Sequence, residues 1–238
     1  AEQIAALDPE DVGAMTDAQV SVLDTSQLRA FVPAQVQQLS VSQLGSISAT
    51  NFADLEAEDF AALSPEQIQA LSTAQIDALS TSQLDSMTQE QLAAMSSAQI
   101  SSLKVASISS LNVNAIGGLS TSQIQALRGS QAAELTAEQL TQFSDEQLGA
   151  ITTAQAAQLA TAALVQLSVA QIQAMKAEAI GSLGGVNRID SLTMEQVAGL
   201  TSDQVKSLTN TQVEKLTTAQ IKELTAEQLG VMNSAQIG

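Results

Sequence analysis

An eight-residue period runs through this chain and limits what it can fold into. Residues 63–102 read LSPEQIQA, LSTAQIDA, LSTSQLDS, MTQEQLAA and MSSAQISS. Each unit is an apolar residue, Ser or Thr, two variable positions, Gln, an apolar residue, and two small or polar positions. Carried in both directions, the register covers residues 1–238 as a single continuous array of about thirty units. It slips by one residue in the stretch 183–191, LGGVNRIDS, and resumes at Leu192.

The unit reads as a helix start. With Ser72 as N-cap, its hydroxyl can accept from the amide of Gln75, and the Gln75 side chain can reach back to the Ser72 amide, a capping box. Leu71 and Ile76 then form the flanking hydrophobic staple. Pro9, Pro33 and Pro65 each fall one residue after the cap, where a missing amide hydrogen costs least. Glu66, Glu90, Glu138, Glu146 and Glu227 fall in first turns, where the helix dipole favours acids. Each unit is therefore expected to be a helix of about six residues, ended by the Ser or Thr that starts the next.

A single long helix is the rival reading. A period of eight matches neither 3.6 nor the seven- and eleven-residue coiled-coil repeats, so its apolar positions would drift around the axis. A unit this short cannot bury enough surface to stand alone, and stacking of neighbours is the remedy. The expected fold is all-α, an α-solenoid of very short helices. Its coil size is read from the cap position. The poor caps are Val32, Glu56, Lys104, Arg128, Ala160 and Lys176, and all but Ala160 are separated by multiples of 24 residues. That spacing predicts three helices per coil.

Composition narrows function by what is missing. The chain has no His, Cys, Trp or Tyr, so it offers no thiolate nucleophile, no Ser–His pair and no zinc site of the usual ligands. The expectation is a non-enzyme with no cofactor and no metal. A net charge of −17 argues against nucleic acid, and no apolar run is long enough for membrane insertion. The chain begins without Met or a signal-peptide pattern and reads as mature or excised.

Three features are candidate surfaces. The Gln row (Gln67, Gln75, Gln83, Gln91, Gln99) reads as capping-box partners rather than a binding face, and the Ser and Thr hydroxyls read as caps already engaged by helix amides. The cluster Asp54, Glu56, Glu58 and Asp59 reads as a solvated acidic face, since it lacks a calcium-loop pattern. Lys104, Arg128 and Lys176 share the expected edge and form a candidate docking ridge for an acidic partner. Around 103–118 and 175–191 the repeat decays: Ser107, Ala115 and Ala179 replace Gln, marking stretches where the array could bend or a partner could bind.

Units such as LSTAQIDALSTSQLDSM and LTTAQIKELTAEQLGVM resemble the "LTTAQIxAL" octapeptide arrays of very large secreted bacterial surface proteins. The resemblance implies an extracellular or cell-surface stalk, spacer or adhesin segment, exported without an N-terminal signal, and it implies no catalytic residues. The leading expectation is a structural rod or filament subunit. The alternative is a binding solenoid, an adhesin module that recognises a protein or glycan. Regular units at both ends suit either an excised fragment or head-to-tail self-association, with Ile4 and Leu7 facing Met232 and Ile237.

The capping reading predicts that Ser72→Ala destabilises the chain by about 0.5–2 kcal/mol while Asp77→Ala is nearly neutral, as measured by urea denaturation. Equal effects would argue against Ser72 as a cap.

Overall fold

The computed structural model describes residues 2–183 and 189–237. Residues 184–188, most of the register slip, lie outside the described residues. Those described form 27 α-helices and two 3-10 helices, none longer than six residues, and no strand. The chain divides into two compact units, Ala1–Leu119 and Ser120–Gly238.

The helix at Thr73–Ala78 shows how eight residues make one element. Ser72 is extended (φ −67°, ψ 155°), and its hydroxyl accepts from the Gln75 amide at 3.2 Å. The Ser72 amide donates to Gln75 Oε1 at 2.9 Å, closing the capping box. Seven residues after Ser72, Leu79 is again extended (φ −53°, ψ 137°), and Ser80 caps the next helix. Six helical residues and two extended ones thus complete each full repeat, and the second extended residue is always the next cap. Elsewhere helices shorten to four or five residues, as at Gly129–Ala132 and Thr153–Ala156. Pro9, Pro33 and Pro65 each open a helix.

Packing follows a rule of three. In the first unit Pro9–Gly13 packs on Pro33–Gln38, which packs on Ala57–Ala61, which packs on Thr81–Ser86. In the second, Thr121–Ala126 packs on Asp145–Ala150, which packs on Val169–Ala174. Each partner is the third helix along, so a coil holds three helices and 24 residues in the regular stretches. Each unit is a helical-repeat solenoid.

The staple positions build the interior. Leu71, Ile76, Leu79 and Leu84 are buried, and the same two places of other units hold Phe52, Phe60, Leu92 and Ile100. Phe52 and Phe60 meet edge to face with ring centroids 6.2 Å apart, a favoured aromatic geometry. Two apolar residues per unit suffice because three helices contribute to every layer.

Around 105–118, where the motif decays, the helix type changes. Val105–Ser110 and Ile116–Gly118 are 3-10 helices, with Ser107 and Ala115 in the Gln places. Lys104 gives Val105–Ser110 no side-chain cap, but the helices after Glu56, Ala160 and Lys176 lack one too and remain α.

Two glycines separate open from closed surface. A Cβ on Gly45 would meet nothing within 4 Å, whereas on Gly181 it would run into the Ser207 carbonyl of the next coil. Gly45→Ala is therefore expected to stabilise the first unit by about 0.5–1 kcal/mol. Gly181→Ala is expected to destabilise the second by about 1–3 kcal/mol. Chemical denaturation of the two variants checks the opposite signs.

Candidate functional site: the glutamine seam between coils

The repeated Gln does more than cap its own helix. In Gln83, Oε1 accepts from the Ser80 amide at 2.9 Å, while Nε2 donates to the carbonyls of Phe52 (3.2 Å) and Leu55 (3.0 Å). Phe52 is the last residue of Ala49–Phe52 in the preceding coil, and Leu55 lies in the link that follows it. The final carbonyls of a helix have no partner within it. One side chain therefore finishes the start of its own helix and the end of another, and Gln83 is fully buried in doing so.

The arrangement recurs in both units. Gln75 donates to Leu44 and Ile47, Gln99 to Ile68 and Leu71, and Gln155 to Ile124 and Leu127. The acceptors stand 31 and 28 residues back. For Gln196, Gln204 and Gln212 they stand 32 and 29 residues back, and for Gln220 the nearer one is again 28 back. The shift of one residue is confined to pairs that straddle the extra residue after Leu183. The donors still find the carbonyls of the corresponding residues, Leu164 and Leu167, Ile172 and Met175, and Ile180 and Leu183.

Other polar residues fill the Gln place in their own ways. Asn51 Nδ2 reaches the Leu23 carbonyl at 3.1 Å, the acceptor 28 residues back. Ala115 has no side-chain amide, and Asn112 substitutes: its backbone amide donates to Leu84 and its Nδ2 to Asp85. Asp59 is buried in the Gln place. This corrects the reading of Asp54, Glu56, Glu58 and Asp59 as one solvated face. Glu56 and Glu58 lie toward solvent and Asp54 is half-buried, paired with Arg29 at 3.0 Å. Asp59 falls at the inward Gln position of the eight-residue period. Burial, and after it the charges of Glu58 and Glu56, push its carboxyl up to about 6.

Outside the seam the surface is short and polar. Thr25 donates to Asp54, Ser42 to Asp17 and Ser202 to Glu227, each tying adjacent coils. The Ser26 hydroxyl and the Gln27 amide hold the Asp24 cap below the usual carboxylate range. An open cleft of about 480 Å³ in the second unit is lined by Gln173, Gly199, Ser202, Asp203 and Glu227, with no aromatic or basic side chain.

The residues singled out from sequence sit as follows. Lys104, Arg128 and Lys176 are exposed and give no side-chain cap. Arg128 and Lys176 stand in one row of the second unit, with Thr152 at the cap between them; Lys104 belongs to the first unit. Ile4 is buried, Leu7 and Met232 are half-buried, and Ile237 is 65% exposed. No helix among the described residues is long and apolar enough to cross a membrane.

These features define a class, the helical-repeat proteins. Residues 4–41 and 52–89 match the family model described as the ALTTAQ repeat. No curated protein compared with the chain matches it. Spacing within the octapeptide assigns Gln to the capping box alone and does not reveal the inter-coil donor. The signal that points to it is the preference for Gln over Glu: either completes the box, but only Gln carries a donor.

Replacing Gln83 with Glu keeps the capping acceptor and sets a carboxylate oxygen against two carbonyls. Gln83→Glu is expected to cost about 3–5 kcal/mol at neutral pH, against about 1–3 kcal/mol for Gln83→Ala. Urea midpoints of the two variants test this, and an equal loss would remove the donor half of the seam.

Proposed function

We propose that the chain is a non-catalytic structural spacer, a stalk or filament segment of an extracellular or cell-surface protein. The observation that supports this most is the glutamine seam. The most regular polar side chain of the repeat is spent on holding coil to coil, and what remains outside is mainly short Ser, Thr and acidic residues. Among the described residues this surface carries no exposed aromatic side chain, one of the anchors that concentrate binding energy in interfaces. The cell-surface setting rests on the resemblance of the octapeptides to secreted bacterial arrays. The binding-solenoid alternative would use the open polar cleft or the row of Arg128 and Lys176 to hold a glycan or an acidic protein.

A spacer gains length in proportion to its repeats. Duplicating residues 63–110, two coils of 24, is expected to lengthen the particle by about 16–20 Å at helix-stacking distances. Small-angle scattering measures it, and an unchanged maximum dimension would overturn the reading. Light scattering on the parent tests the filament form, in which Ile4 and Leu7 of one copy meet Met232 and Ile237 of another. A monodisperse monomer at high concentration would leave the stalk alone. Antibody labelling of unpermeabilised source cells tests the location, and labelling only after permeabilisation would reject it.

A further inference from the structure

Asp59 stands where the seam requires a donor. By the offsets of its neighbours, its acceptors would be the carbonyls of Leu28 and Phe31, 31 and 28 residues back. Asn51, whose side chain is the same length, reaches its own 28-back carbonyl at 3.1 Å, so length does not prevent Asp59 from doing so. Proton count does. An ionised carboxylate has only acceptors, whereas a protonated carboxyl has one O–H to donate.

Asp59 is 3% exposed as a residue, and among the described residues its side chain makes no hydrogen bond. Its helix, Ala57–Ala61, packs against Pro33–Gln38 on one side and Thr81–Ser86 on the other. Pro33–Gln38 carries no charged residue, and Thr81–Ser86 carries only Asp85. On its own helix and cap the charged neighbours are Glu56 and Glu58. No cation faces it from these elements. The nearest in sequence, Arg29, is engaged by Asp54 at 3.0 Å.

We propose that Asp59 is a proton-operated clasp in the first unit: protonated, it donates to the Phe31 carbonyl as Asn51 does to Leu23 and closes the joint between Pro33–Gln38 and Ala57–Ala61; ionised, it faces that carbonyl with negative charge and loosens the joint. The carboxyl held up to about 6 by burial and by Glu58 and Glu56 agrees with this. The folded carboxyl titrates above its unfolded value, so between about pH 4 and 6 the folded chain holds the extra proton. The contribution to stability is fully present below that window and is lost as pH rises through it. The device is independent of any spacer or binding role, because it concerns one joint of the solenoid.

The test compares the full chain with Asp59→Asn, which supplies a donor at every pH. At about pH 7 the amides of 33–38 and 57–61 should exchange with deuterium about a hundredfold more slowly in Asp59→Asn than in the parent, and the gap should close near pH 4. Dividing by intrinsic exchange rates removes the direct effect of pH. A gap of equal size at both pH values, or none at pH 7, overturns the clasp. In the unmodified chain, the carbon resonance of the Asp59 carboxyl should titrate with a midpoint near 6. A midpoint in the ordinary range near 4 overturns it without any substitution.

Discussion

A glutamine side chain carries an acceptor and two donor hydrogens on one planar group at the end of two methylenes. This chain places that group where the start of one helix meets the end of another in the preceding coil. Short helices make the placement necessary. A helix of six residues leaves more backbone groups unpaired at its ends than it pairs within itself. Folding a chain of such helices requires a partner for each end, and the Gln amide provides one for both. Ser or Thr at the cap completes the set by accepting from the Gln backbone N–H.

This division of labour explains which positions vary. The N-cap tolerates Val32, Lys104 or Arg128 because the backbone amide there can still reach Gln35 or Gln131, while Lys104 stands over a tightened 3-10 turn. The Gln place varies as well, and some of its substitutes are informative. Asn51 keeps one donor, Asn112 moves the donor to another position of its unit, and Asp59 keeps the shape but makes donation depend on a proton. One extra residue in the sequence leaves the seam intact, as the shifted offsets of Gln196 to Gln212 show. A repeat held this way can lengthen, shorten and drift at its surface while its coils remain joined, which suits a protein used for its dimensions.

The interior makes a weaker demand. Two aliphatic residues per unit, with Phe in a few places, fill the space between three helices. Nothing in that interior asks for a particular side chain beyond approximate volume, consistent with the tolerance of cores for apolar exchange. Specificity of register comes instead from the seam. A buried amide one residue out of place would face no acceptor, and a buried polar group without a partner is costly.

Much of the local structure is legible from residues alone. Caps, capping boxes, N1 prolines, buried apolar pairs and the absence of a long helix all follow from spacing within eight residues, because helix starts are written in side chains three positions apart. The coil of three helices is also legible, from the 24-residue spacing of Val32, Glu56, Lys104, Arg128 and Lys176. Tertiary structure decides the rest. The second bond of each Gln reaches some thirty residues back, and no local pattern indicates which carbonyl it meets. Asp59 resembles its neighbours Glu56 and Glu58 in sequence because charge is visible there and burial is not. Its burial is settled by the packing of its helix between Pro33–Gln38 and Thr81–Ser86, and that burial is what raises its carboxyl above the usual range.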